Sequence, residues 1–325
     1  MNKVIITITG AAGNIAYSLI FRILSGNIFP TDVKVQVNLL DITDSLPILK
    51  GVKYEIEDCA FPNLENIITT DSPELAFTDS DYILLVGAKP RFKGMQRADL
   101  LLDNANIFQK QAKIINECVG KSTKIIVVGN PANTNALIVQ NFANNIPSDN
   151  ITSLMKLDQN RAKSILGNKL NKSVTEISQL VVWGNHSATQ FPDLNHAHVS
   201  NSNEPILSLD SNWVNDVFIP RVQKRGAEII QHRGKSSAAS AASAIYDHLN
   251  ILINGSNDWE SMGIMRDNTY GISNEIFFSF PLKILNSNIS IINKLTINDQ
   301  SMKYIKDTEK ELLTERDIIK DILKN

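Results

Sequence analysis

The side chains best suited to chemistry in this sequence are a histidine, an aspartate and a few arginines, and their spacing decides what they can do together. Residues 87–101 read GAKPRFKGMQRADLL and place Arg91 and Arg97 behind an apolar run, Tyr82-Ile83-Leu84-Leu85-Val86. Gly87, Pro90 and Gly94 let a chain turn and hinge, so the two guanidinium groups could sit on a cationic lid that binds an anion. The same loop could equally be a solvated basic surface, because Lys and Arg are mostly exposed residues. Further along, Leu157-Asp158-Gln159-Asn160-Arg161 sets Asp158 and Arg161 three apart and therefore on one helix face. Such a pair is most often a surface ion pair worth under about 1 kcal/mol. His186 follows in Trp183-Gly184-Asn185-His186-Ser187, just after an apolar stretch at 177–183. Histidine exchanges protons near neutral pH, although an interior histidine is also commonly just a hydrogen-bonded polar group. Asn130, in Val128-Gly129-Asn130-Pro131-Ala132-Asn133, could donate to a substrate oxygen or cap the helix that starts after Pro131.

These groups need elements to hold them. Residues 4–9 form a β-branched run that stops at Gly10 and gives way to a helical pattern through Ile15, Leu19, Ile20 and Ile23. The turn between them is Gly10-Ala11-Ala12-Gly13-Asn14-Ile15-Ala16. Gly10 permits the bend, Gly13 lets a pyrophosphate approach the backbone, and small Ala16 lets the helix lie close to the sheet. The match is to GxxGxxA and not to GxGxxG, but the required strand precedes it and the required helix follows. A second apolar strand at 35–40 ends at Asp41, where a carboxylate accepts from the ribose hydroxyls of a dinucleotide and repels a 2′-phosphate. NAD is thereby favoured over NADP, with a turn or helix-cap aspartate as the other reading. The runs at 82–86 and 124–128 continue the alternation with helices, and unbroken hydrophobicity is the mark of parallel strands covered on both faces. The helical stretch 98–119 carries Asn104 and Gln111 near one face, in reach of a cofactor or simply as surface amides. The predicted architecture is an α/β, doubly wound (Rossmann) parallel sheet over residues 1–150, followed by an α+β substrate and catalytic domain over 151–325. A helix at 213–231 and a final charged helix at 303–323 belong to the second part.

Composition narrows the partners. Of 325 residues, 32 are Lys or Arg and 34 are Asp or Glu, a net −2 with both signs mixed, which argues against a nucleic-acid or membrane surface as partner. Cys59 and Cys118 make neither a disulfide framework nor a metal-ligand spacing, which suits free thiols in a reducing compartment, and no metal is expected. No apolar run approaches a membrane span, and the strand pattern begins at Lys3, where a signal peptide would otherwise stand.

Six stretches in register, TGAAGNIAYSL, NLLDI, GAKPRFKGMQR, VVGNPANTN, LDQNRA and VWGNHSATQFPD, resemble the NAD-dependent malate dehydrogenases of the lactate/malate dehydrogenase superfamily, and most of all the cytosolic-type branch. The similarity runs from about residue 4 to 247 and is weak beyond about 286. The resemblance implies reversible hydride transfer between (S)-malate and NAD, giving oxaloacetate and NADH, in a cytoplasmic homodimer of the tricarboxylic acid cycle. It implies that His186 takes the C2 hydroxyl proton and that Asp158 holds the other ring nitrogen. It further implies that Arg161 forks onto the C1 carboxylate, that Arg97 and Asn130 polarise the C2 oxygen, and that Arg91 binds the second carboxylate. Three arginines against two substrate carboxylates and Asp158 sum to zero while His186 is neutral, so a closed, dry site is electrostatically sound. Cofactor contacts are implied for Gly10, Ala11, Ala12, Gly13, Asn14, Ile15, Ala16, Asp41, Asn104, Gln111, Val128, Gly129 and Asn130. Ser236 and Ser237 read as the start of a helix facing the site, weighted toward capping.

Overall fold

The computed structural model describes residues 3–26, 28–90, 97–200, 206, 209–266 and 269–324. The first half runs β1 (Lys3–Thr9), α1 (Asn14–Ser25), β2 (Lys34–Leu40), α2 (Leu46–Asp58), β3 (Leu64–Thr70), α3 (Pro73–Phe77), β4 (Tyr82–Leu85), α4 (Arg97–Cys118), β5 (Lys124–Val127) and α5 (Ala132–Phe142). The second half runs β6 (Ile151–Leu154), α6 (Lys156–Leu170), β7 (Ile177–Ser178), β8 (Val181–Trp183), β9 (Phe191–Asp193), β10 (His198–Val199), α7 (Ile219–Arg233) and α8 (Ala239–Asn254). It closes with β11 (Glu260–Ile264), β12 (Phe278–Leu285), β13 (Asn288–Ile291), α9 (Asp299–Ile318) and α10 (Lys320–Leu323).

Among the described residues, nine strands join in one sheet in the order β13-β12-β11-β6-β5-β4-β1-β2-β3. The six from β3 to β6 are parallel, while β11, β12 and β13 are antiparallel. Alternate residues of each central strand serve opposite faces: Leu84 and Ile126 pack in one core cluster with Ile6, and Ile83, Leu85, Ile125 and Val127 pack in the other with Phe108. A strand with two apolar faces leaves no position for a polar residue, which is why the sequence of β4 and β5 is continuously hydrophobic. Chain order reverses beside β1, whose neighbours are β2 and β4, the point at which an open α/β sheet is expected to form a ligand crevice at the carboxyl ends of its strands.

The expected boundary at 150/151 falls at the start of β6, and β6 is the sixth parallel strand of the same sheet. The second half is thus built onto the edge of the first, and the two share a core. Helix α8 lies against the end of α1: a β-carbon on Gly26 would stand 2.4 Å from the Tyr246 hydroxyl, and Asn254 donates to the Ile28 carbonyl at 2.9 Å. The C-terminal end returns to the first half, with Ile319 buried in the Phe108 cluster and Asn141 donating to the Leu323 carbonyl at 2.9 Å.

Three expectations change in detail. The apolar stretch at 177–183 is two short strands, β7 and β8, parted by Gln179 at φ +58°. The helix expected at 213–231 begins with a wider, π-type turn over Trp213–Phe218 before α7 takes over. The last helix starts earlier, at Asp299, because the Asn298 side chain accepts from the Ser301 N–H and caps it, and it breaks at Ile319 into α10.

The tightest backbone approach in the crevice is between the ends of β1 and β4. Gly10 has φ +63°, and a β-carbon there would stand 2.5 Å from Gly87 Cα. We expect Gly10→Ala to lower the unfolding free energy by about 1–3 kcal/mol, read from urea denaturation, since the strained φ and the clash act together. An unchanged midpoint would mean that the two strand ends separate without cost.

Candidate active site

The turn after β1 is shaped to hold an anion. Gly13 N donates to Gly10 O at 3.0 Å and closes the bend, and Gly13 occupies the N-cap of α1 with no side chain capping it. The first N–H groups of α1 therefore point out of the helix start toward the crevice mouth, where Gly13 and Asn14 are exposed. Ala11 and Ala16 are buried and let the turn sit flat on the sheet. Asp41 stands half-buried at the end of β2, and its carboxylate accepts from Ala12 N at 2.9 Å and Ile42 N at 2.8 Å. It caps no helix and lies beside the glycine turn. Val128 and Gly129 are buried at the end of β5, both N–H groups donating to Leu85 O at 3.0 Å.

The other expected amides part company. Asn104 is 0% exposed, accepts from Lys89 N at 2.7 Å and donates to the Lys89 and Leu100 carbonyls at 3.2 Å. Its carboxamide pins the base of the 87–90 loop to α4, with the amide nitrogen donating to two carbonyls within the chain. Gln111 is half-buried, and its Oε1 is buried with no hydrogen-bond partner among the described residues, an acceptor left open. Asn130 is exposed at the end of β5, next to a cis peptide bond to Pro131. The N-cap position of α5 belongs to Pro131, so Asn130 is not spent on capping. Arg91 lies outside the described residues; Arg97 opens α4, with its side chain outside them.

The second cluster forms where α6 starts directly after β6. Asp158 is 0% exposed, and its carboxylate faces Arg161 Nη1 at 3.3 Å on one oxygen and His186 Nδ1, in a short hydrogen bond, on the other. The i,i+3 pair is thus interior, with the Arg161 side chain only 12% exposed. Burial alone would raise the Asp158 pKa. The His186 charge and hydrogen bond, the Arg161 charge and a hydrogen bond from Gln190 outweigh it, so the carboxyl sits below its ordinary 3.8. Arg161 Nη2 also donates to Ser237 Oγ at 3.2 Å, while its Nε is buried without a partner among the described residues. Ser236 and Ser237 do not cap α8, whose N-cap is Ala238, and Ser237 instead meets the guanidinium.

The backbone around His186 is strongly held. Gly184, at φ +95°, bridges Ser279 through two hydrogen bonds of 3.0 Å, and a β-carbon on it would stand 2.1 Å from Thr308 Cγ2. Asn133 reaches this segment from α5, and Asn185 donates to Glu311 of α9 at 3.0 Å. These supporting residues escaped the sequence reading. Asn133 lies in the quoted NPAN motif but reads there as an ordinary helical polar residue, and α9 falls in the part of the chain with the weakest resemblance. Among the described residues no cluster of His, Cys, Asp or Glu could hold a metal, and both cysteines are free thiols.

Residues 4–152 match the family model for the lactate/malate dehydrogenase NAD binding domain, and residues 155–323 match that for the lactate/malate dehydrogenase alpha/beta C-terminal domain. Among solved structures, a malate dehydrogenase from Naegleria fowleri is 41% identical, with 99% of each chain covered and a TM-score of 0.96. A lactate dehydrogenase from Trichomonas vaginalis, in complex with NADH and oxamate, is 35% identical, with 98% of each chain covered and a TM-score of 0.93. A malate dehydrogenase from Plasmodium falciparum, 21% identical over 99% of this chain and 100% of its own, shares the fold at a TM-score of 0.84.

The depressed Asp158 pKa fixes the sign of a pH effect. A carboxyl whose folded pKa lies below its unfolded value stabilises the fold fully above the unfolded value, and that contribution is lost as pH falls through the folded one. The stability of the native chain relative to Asp158→Asn should therefore decline steadily on acidification below pH 3.8. Thermal unfolding of both proteins across that range reads it, and parallel curves would mean that the carboxyl is not held ionised.

Proposed function

The chain belongs to the lactate/malate dehydrogenase family and is an NAD-dependent oxidoreductase, and we propose that within this family it is a malate dehydrogenase interconverting (S)-malate and oxaloacetate. The observation that carries the chemistry is the buried Asp158 bridging His186 and Arg161. Because Nδ1 faces Asp158, Nε2 is the ring nitrogen that exchanges a proton with the C2 hydroxyl. Asp158, kept ionised, fixes the tautomer and stabilises the imidazolium that forms. Arg161 offers a planar guanidinium, the two-donor group that pairs with a C1 carboxylate, and its buried Nε has no partner among the described residues. Asn130, unspent on capping, is the donor proposed for the C2 oxygen, joined by Arg97 from the start of α4.

The residues of the crevice fit NAD: a glycine turn packed too tightly for a β-carbon, an uncapped helix start for the pyrophosphate, and Asp41 for the adenosine ribose. When bound, NAD accepts the hydride that leaves C2.

Malate in preference to lactate rests on Arg91, a cation for which a monocarboxylate has no use. The similarity to a lactate dehydrogenase keeps pyruvate as the competing substrate. NADH oxidation measured side by side with oxaloacetate, pyruvate and 2-oxoglutarate decides between them, oxaloacetate being the expected best; faster turnover of pyruvate would reverse the assignment. We expect Arg91→Gln to cost on the order of 3–5 kcal/mol in kcat/KM for oxaloacetate, because it strands a substrate carboxylate in a closed site. Asp41→Ser should raise the use of NADPH relative to NADH by removing the charge that repels the 2′-phosphate, and an unchanged ratio would deny Asp41 that role. A homodimer belongs to the same reading, to be checked by light scattering.

A further inference from the structure

Asn133 sits in the first turn of α5, three residues beyond Asn130, and is 0% exposed. Its carboxamide oxygen accepts from the backbone N–H of His186 at 3.0 Å. Its amide nitrogen donates to Gly184 O at 3.2 Å and Phe277 O at 3.1 Å. One planar group thus binds the chain on both sides of Asn185 and ties it to the residue before β12. No other side chain of this size offers an acceptor and two donors in a fixed plane. On its far side the same segment is held by α9, where Thr308 Oγ1 accepts from Asn185 N at 2.9 Å. The Asp158 contact sets the tilt of the imidazole, since it grips the ring. It leaves a second coordinate, the placement of the His186 backbone relative to the end of β5, to contacts made with that backbone itself. Asn133 supplies that second coordinate, being carried on the helix that leaves β5 through Asn130 and Pro131.

We propose that Asn133 is a positioning residue: it fixes the backbone of His186 against the Val128–Asn130 segment, and so sets the reach of Nε2 to the substrate. The assignment rests on the acid/base reading of His186. Asn133→Asp keeps the acceptor but sets a carboxylate against two carbonyl oxygens, whereas Asn133→Ser withdraws the group from all three partners while filling little of the space.

The test uses the full chain. Wild-type NADH oxidation is measured first, with oxaloacetate and pyruvate; no turnover with either would defeat the acid/base reading and the positioning role with it. In both variants kcat for the preferred 2-oxo acid should fall by about 100-fold, the scale on which a displacement of about 1 Å lowers a rate. KM should move far less, and NADH binding followed by nicotinamide fluorescence should be unchanged. In Asn133→Asp alone, kcat should also fall further as pH rises through the new carboxyl's pKa, because the protonated form regains one donor toward a carbonyl. Wild-type kcat and pH profile in both variants would overturn the assignment. So would an equal loss of NADH binding and turnover, or failure of both variants to fold, either of which would make Asn133 a residue of the core and no more.

Discussion

A carboxylate taken wholly out of water has to be paired, and Asp158 is the place where this chain accepts that obligation. An unpaired buried charge costs several kcal/mol, so the two groups beside Asp158, Arg161 at 3.3 Å and His186 Nδ1, are required by the burial itself. The arrangement then dictates much else. Helix α6 must begin immediately after β6 so that Asp158 falls in its first turn, pointed at the segment following β8. Arg161 must share that face, which leaves its Nε interior and open. A histidine gripped at one nitrogen by an ionised acceptor has its other nitrogen left to exchange a proton, and on that arrangement the proposed acid/base role rests.

The sheet joins this pair and the glycine turn in one framework. The crevice exists because chain order reverses beside β1, and the glycine turn fits it because Gly10 and Gly87 pass too closely for side chains. Since β11, β12 and β13 extend the same sheet from β6, and α8 shares a core with α1, the halves hold a fixed relation. Through Ser279 and Asn133, the His186 segment is hydrogen-bonded both to the added antiparallel strands and to the helix leaving β5. Rigid backing of this kind suits a reaction in which a proton and a hydride leave neighbouring atoms of one substrate, where small errors of placement are costly.

Several polar residues show how little residue type alone says about role. Asn104, Asn130 and Asn133 all lie near the crevice. Asn104 is consumed in fastening a loop, Asn130 faces outward, and Asn133 is saturated by backbone. Ser237 has the composition of a helix cap and instead touches Arg161, because α8 begins only after Ala238. In each case an amide or hydroxyl satisfies whichever backbone or charged group the tertiary packing presents to it.

What the sequence by itself determined was whatever is written in local pattern. The strand-turn-helix at Gly10–Ala16, the unbroken apolar runs of β4 and β5, and the i,i+3 spacing of Asp158 and Arg161 are consequences of periodicity and of residue size, and such rules act over a few neighbours. The resemblance carried by six motifs extended that to the family. Only the tertiary structure decided that the Asp158–Arg161 pair is interior, that β6 joins the parallel sheet, and that three antiparallel strands prolong it. It also decided that Asn133 and α9 hold the His186 segment. These depend on contacts between residues far apart in the chain, such as Asn133 with Phe277 or Asn185 with Thr308, whose free energy comes from burial and hydrogen bonding that no short window of sequence contains.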